Sequence, residues 1–290
     1  MNVVTARCMV LALLATHPCS AEGPNEVDLR EAWSQVYLEA AKEVELKTSS
    51  SDSPIMLEPR PLLRWHNPVR EGETHGDLFA WQRDGQPIVV GTIFSYIYPV
   101  GGNVRVAALG LHPLVNEDIR FQFRSLNGLL PGTNLGQFDI ELEAGTLVSA
   151  NPAARLAQVR SLARSCEAWT VNAGVEQPLR LLSQPLLLSN DRLDATKQEK
   201  ADEAGSPAGD STAALFAMVT GTDPELLLLV QSRVSDVPGR SVWQITPARF
   251  SDLPLKLSVR GESVWQWAAA STPEPYVSRH RIFLRPLDPR

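Results

Sequence analysis

Hydrophobic and polar positions alternate with two different periods along this chain, and the switches between them mark its elements. In "NEVDLREAWSQVYLEAAKEVEL", Leu29, Trp33, Val36, Tyr37, Ala40 and Val44 recur at helical spacing. This predicts an amphipathic helix, with Asp28 and Glu31 placed as a capping box. "KTSSSDSP" reads as a loop, and Pro54, Pro59, Pro61 and Pro68 keep the next segment extended. From Asp77 the period becomes two. Asp84-Gly85 between apolar runs predicts a hairpin, because a type I′ turn needs positive φ at both central residues. That turn pairs Arg83 with Gln86 and Gln82 with Pro87, a slot where the missing N–H is tolerated. The same register, continued, sets Phe94 opposite His75 and Thr92 opposite Asp77.

Further along, Phe121 to Leu126 reads as a short strand and "NGLLPGTNLG" as turn-rich. Asn151-Pro152 opens a second helix, asparagine as N-cap and proline at the first helical position, with Leu156, Val159, Ala163, Cys166 and Trp169 or Thr170 as its buried stripe. Two more hairpins are expected, one connected by Gly221 to Glu225, the other turning at Arg260-Gly261; a helix starting at Pro224 competes with the first. The polar stretch Asn190 to Thr212 reads as a disordered insertion or long loop. No repeat of fixed period emerges beyond the recurrence of hairpins. The expectation is a single α+β domain over residues 22–290, with 22–50 as an N-terminal helical segment. Its sheet is mainly antiparallel and built from hairpins, and the N-terminal and central helices pack on it.

The N-terminus changes the picture of where the chain goes. Arg7, an apolar run from Cys8 to Ala15 and small residues ending at Ala21 read as a signal peptide over residues 1–21, which implies a periplasmic or extracellular destination. Loss of Arg7 takes the formal charge from −6 to −7, and no long basic block is present, so nucleic acid is a poor partner. Cys8 and Cys19 leave with the leader; Cys166 alone remains, so no internal disulfide forms. No later apolar run has membrane-spanning length, which argues against an integral membrane protein.

Candidate chemistry is sparse. His75 and Asp77 fall on one strand face, where a carboxylate could orient an imidazole as general base, but no G-x-S-x-G elbow supplies a nucleophile. The bland alternative is a hydrogen bond from Asp77 to Thr92. His66, His75, His112 and His280 show neither H-x-x-x-H nor C-x-x-C spacing, so no metal site and no cofactor are expected. Cys166 reads as a buried small hydrophobe. In the third hairpin, Lys256, Ser258, Ser263, Trp265 and Trp267 are expected on one face and Leu255, Leu257, Val259 and Val264 on the other. Lys256, Trp265 and Trp267 would then form a stacking platform for a sugar ring or a small partner interface, unless a helix covers them.

The landmarks "LRWHNPVR", "GDLFAW", "FRSLNG", "NPAARLAQVRSLAR", "ALFAMVTGTDPELLLLVQSR" and "RFSDLPLKLSVRGESVWQ", between Leu62 and Trp267, resemble in their order a family of secreted planctomycete proteins. The resemblance implies secretion and a single architecture and assigns no activity or site residue. The sequence thus favours an exported, non-catalytic protein binding a ligand or protein partner, carbohydrate among the candidates. A hydrolase-like enzyme centred on His75 and Asp77 and a structural cell-envelope protein are the alternatives.

Overall fold

The computed structural model describes residues 26–48, 51–67, 74–98, 104–124, 126–130, 132, 138–140, 148–149, 151–172, 174–190, 212–234, 241–251 and 253–268. The expected leader, 1–21, and the expected insertion between Asn190 and Thr212 lie outside them. The fold is α+β with antiparallel sheets, and among the described residues no helix is long and apolar enough to cross a membrane.

Helix α1, Glu26–Lys42, ends before Val44, and Asp28 lies within it rather than at its cap. The reason is local: Val44, Glu45, Leu46 and Lys47 alternate buried and exposed, a strand period, so the chain turns after Glu43 into β1, Val44–Thr48. Two short strands, β2, Met56–Leu57, and β3, Leu63–Asn67, flank β4, Thr74–Arg83. Strand β4 forms the expected hairpin with β5, Gln86–Tyr98, through Asp84 (φ 51°) and Gly85 (φ 78°), and β6, Val104–Pro113, completes a five-stranded sheet. β7, Ile119–Phe123, returns to pair with β1, and β8, Leu126–Leu130, pairs with β7 where turns were expected. A short strand, β9, Phe138–Ile140, precedes the second helix.

Helix α2, Pro152–Arg164, is capped as expected: the Asn151 side chain accepts from the N–H groups of Ala153 and Ala154 at 2.9 and 3.3 Å. It stops at Ser165, so Cys166 and Trp169 belong to β10, Cys166–Asn172, and Arg155 rather than Leu156 is buried. β11, Val175–Pro178, pairs with β10; β12, Arg180–Leu181, and β13, Leu187–Asn190, flank β14, Thr212–Thr220. β15, Asp223–Val234, follows a two-residue turn at Gly221-Thr222, tighter than expected, because Asp223 and Pro224 already pair with β14. β16, Ser241–Arg249, β17, Leu255–Val259, and β18, Glu262–Trp267, close the order, with β9 on the outer edge of β16.

Contrary to the expectation from spacing, the chain is an internal repeat. α1-β1-β2-β3-β4-β5-β6-β7-β8 and α2-β10-β12-β13-β14-β15-β16-β17-β18 share connectivity and register. Val44 faces Phe123 as Cys166 faces Val259, Leu57 faces Trp81 as Leu181 faces Met218, and Leu63 faces Leu78 as Leu187 faces Leu215. Individual backbone bonds recur: Leu62 N–H to Leu78 C=O matches Leu186 to Leu215, and Leu114 to Ile88 matches Phe250 to Glu225. Pro61-Leu62-Leu63 recurs as Pro185-Leu186-Leu187, and Leu78-Phe79-Ala80 as Leu215-Phe216-Ala217. No fixed period exists because the connection from Asn190 to Thr212 is longer than that from Asn67 to Thr74.

Both hairpins also carry a bulge beside the proline that follows the turn. Gln82 pairs with Pro87 but Trp81 with Val89, leaving Ile88 extra; Val219 pairs with Pro224 but Met218 with Leu226, leaving Glu225 extra. The register expected from the turn therefore slips by one residue. His75 faces Ser95, and Asp77 faces Ile93. Each repeat has its own core, between its helix and one face of its larger sheet, and the other faces of the two larger sheets pack together through Leu78, Val90, Leu114, Leu215, Leu227 and Phe250. The hairpin turn of the second repeat reaches the first, where Thr222 exchanges hydrogen bonds with the His66 backbone at 2.5 and 3.3 Å.

Candidate functional site

The duplication supplies an internal control: a feature needed only for folding should recur in both copies. Two features of the first repeat do not recur.

The first lies under α1. Trp33, Ser34 and Tyr37 share one helical face and dock on the sheet face formed by His75, Asp77, Phe79 and Trp81, so that face is covered by helix and core. The Ser34 hydroxyl donates to Asp77 Oδ2, and Arg64 Nε lies 3.9 Å from the same oxygen while pairing with Glu31 at 2.6 and 3.3 Å. Burial pushes the Asp77 carboxyl above its ordinary pKa; the Ser34 hydrogen bond and the Arg64 charge pull the other way, and Glu31 adds to the rise. The expected bond to Thr92 exists in another form, with the Thr92 hydroxyl donating to the Asp77 backbone carbonyl at 3.3 Å.

His75 is engaged at both ring nitrogens. Nδ1 is 3.0 Å from the Tyr37 hydroxyl, Tyr37 donates to Ser95 Oγ at 2.7 Å, and Ser95 Oγ is 3.4 Å from Nε2. With the Nδ1–H tautomer the three groups close a ring of donors and acceptors around a neutral imidazole. At the matching positions of the second repeat stand Arg155, Leu156 and Val159 on the helix, and Thr212, Ala214 and Ser232 on the strands. Val159 and Ala214, both in the second core, therefore satisfy the fold without polar groups, and the buried carboxylate, the imidazole and the Ser34 and Tyr37 hydroxyls are particular to the first repeat, while Ser95 has a counterpart in Ser232. A cleft of about 190 Å³ beside them is lined by Tyr37, Arg64, His66, His75, Asp77 and Thr222. As hydrolytic machinery the cluster is poorly arranged. Asp77 is held by Ser34, and Ser95, the serine within reach of His75, is fully buried.

The second feature is an open strand edge. In the second repeat β11 covers the outer edge of β10; in the first, the matching residues 51–54 form no strand and do not pair with β1. A groove of about 720 Å³ opens between β1 and this segment, walled by Val44, Leu46, Pro54, Ile55 and Leu57 with Trp81 at its floor. Trp81 is 1% exposed, and its indole N–H has no hydrogen-bond partner among the described residues. Gly91 makes room for that indole, since a Cβ there would lie 2.7 Å from Trp81 Cζ3; the second repeat has Leu228 and Met218 instead.

The expected platform of Lys256, Trp265 and Trp267 is not one site. A bulge after Leu257 pairs Trp265 with Leu257 and Trp267 with Leu255, which puts both indoles on the core side and Lys256 on the other. Lys256 pairs with Glu176, Trp265 packs on the second core, and Arg249 sits 4.4 Å above the Trp267 ring. Cys166 is buried, its thiol pushed up to about 12 by burial, as befits a packing residue. Among the described residues no group of three or more histidine, cysteine or acidic side chains could hold a metal ion. Sequence reasoning missed Ser34, Tyr37 and Ser95; Ser34, a polar residue beside the apolar stripe of α1, was the available signal. It missed the groove entirely, because an edge strand looks like any other in sequence. No protein-family model matches the chain, and no curated protein or solved structure matches it.

Proposed function

We propose that this is an exported, non-catalytic binding protein whose ligand seat is the groove beside β1. The observation that carries the reading is that groove: largely apolar walls over the Trp81 ring occur where the otherwise matching second repeat is closed by β11. A concave, mostly apolar site with a few polar groups is what small ligands and chain segments occupy. The second repeat then serves as scaffold. Export rests on Arg7 and the apolar run that follows it, together with the resemblance to secreted proteins.

The test is titration of the purified chain with anilinonaphthalene sulfonate. Saturation at one site is expected, and Ile55→Arg, placed in the groove wall, should weaken it by about tenfold with unchanged circular dichroism. Absence of saturable binding, or equal binding by a folded Ile55→Arg variant, would overturn the assignment. The second reading, a hydrolase centred on His75 and Asp77, is favoured by the polar cluster that the second repeat lacks. Activity on ester substrates abolished by His75→Ala would replace the first reading.

A further inference from the structure

We propose that the groove receives an extended segment of a partner protein, which joins β1 as an added strand and carries acidic side chains on its solvent face. The inference rests on the binding reading above and names its ligand class.

The second repeat shows the geometry. On β10 the Ala168 carbonyl accepts from Leu179 N–H at 2.8 Å on the β11 side, whereas Val171 N–H donates to Pro254 at 2.9 Å on the β17 side. Alternate residues of a strand turn their backbone groups to opposite edges. Since Val44 opposite Phe123 matches Cys166 opposite Val259, Leu46 holds the place of Ala168. Its N–H and C=O point into the groove, and no backbone bond from residues 51–57 meets them among the described residues.

Charge points to the composition of the incoming strand. Lys47 and Arg120 lie directly opposite each other on the exposed face of β1 and β7, with no ion pair among the described residues. Like charges in cross-strand register repel. In the second repeat the residue matching Arg120 is Lys256, and Glu176, delivered by β11, neutralises it. An acidic residue on a strand beside β1 would do the same for Lys47 and Arg120, while its alternate side chains, apolar, would face Leu46, Leu57 and Trp81. Size agrees: β1 has five residues, roughly 17 Å of strand, and 720 Å³ is within the range of chain-binding sites. Strand addition is an established mode of peptide recognition, backbone bonds giving affinity and alternate side chains specificity.

The experiment is fluorescence anisotropy of the full chain with a fluorescein-labelled octapeptide alternating valine and glutamate. Saturable binding is expected, about tenfold weaker for a valine–lysine peptide. A copy N-methylated along the pairing edge should not bind. Lys47→Glu with Arg120→Glu, both at exposed positions, should invert the charge preference. Equal binding of the N-methylated peptide, or an unchanged preference in the double variant, would overturn strand addition. Failure of every peptide while the dye still saturates the groove would overturn this inference and leave the binding reading intact; failure of both would overturn both. A dimer by light scattering that excludes the peptide would assign the edge to a second copy and also overturn the proposal.

Discussion

Ser34→Ala and Asp77→Ala, made separately and together, separate the groups the fold needs from those it merely tolerates. Asp77 is 3% exposed and its carboxylate has one hydroxyl donor, Ser34, with Arg64 at 3.9 Å. Ser34→Ala alone leaves the buried carboxylate without that donor and should cost about 1–3 kcal/mol at pH 7. Removing both groups also removes the burial of the charge. The double variant should therefore lie within about 1 kcal/mol of the parent or above it, as replacing both partners of a buried polar pair often does. The second repeat, with Leu156 and Ala214 at these places, is the structural reason to expect it.

The pH dependence carries a definite sign. Burial raises the folded-state pKa of Asp77 above the ordinary 3.8, so the folded chain binds more protons than the unfolded chain between that value and the folded-state pKa. Its contribution is fully present below 3.8 and is lost as pH rises through the folded-state pKa. The stability of the parent relative to Asp77→Ala should accordingly improve as the solution is acidified from pH 7. Urea unfolding followed by tryptophan fluorescence, repeated across that range, measures both effects. A double variant less stable than Ser34→Ala alone, with a difference independent of pH, would refute the reasoning and make the cluster a packing device.

Three further expectations follow from local geometry. Gly76→Ala would place a Cβ 2.5 Å from Phe94 Cβ and 2.7 Å from the Ile93 carbonyl; a loss of about 3 kcal/mol in denaturant unfolding is expected. Trp265→Ala, at a side chain packed on the second core, should cost about 2 kcal/mol, and Trp267→Ala, at a 40% exposed ring held by Arg249, less than about 1 kcal/mol in the same assay. Cys166 should not react with a disulfide reagent in the folded chain, and its modification rate should follow unfolding, since its thiol is buried and raised to about 12.

Elements whose signals are local were readable in the chain. Asn151-Pro152 specified the start of α2, and Asp84-Gly85 and Arg260-Gly261 specified two turns, because each depends only on the φ preferences and side-chain bonds of two or three residues. Helix ends were less readable: Val44 and Cys166 continue the helical stripes numerically, yet each opens a strand whose pairing partner, β7 or β17, lies far along the sequence. The bulges at Ile88 and after Leu257 had no local mark, and each changed which residues share a face. That is why His75 was set against Phe94 and Lys256 beside Trp265. The same-face placement of His75 with Asp77 depended only on strand alternation. The partners of the pair, Ser34 and Tyr37, come from a helix whose docking no spacing rule specifies. The repeat itself was hidden by unequal connections around three-residue matches.

Amide hydrogen exchange at β1 tests the central claim most directly. In the free chain Leu46 N–H, turned to the groove, should exchange far faster than the β1 amides bonded to β7; saturating valine–glutamate octapeptide should slow it to a comparable rate while leaving β10 unchanged. Peptide binding without protection at Leu46, or a Leu46 amide already protected in the free monomer, would contradict the claim that β1 presents an open binding edge.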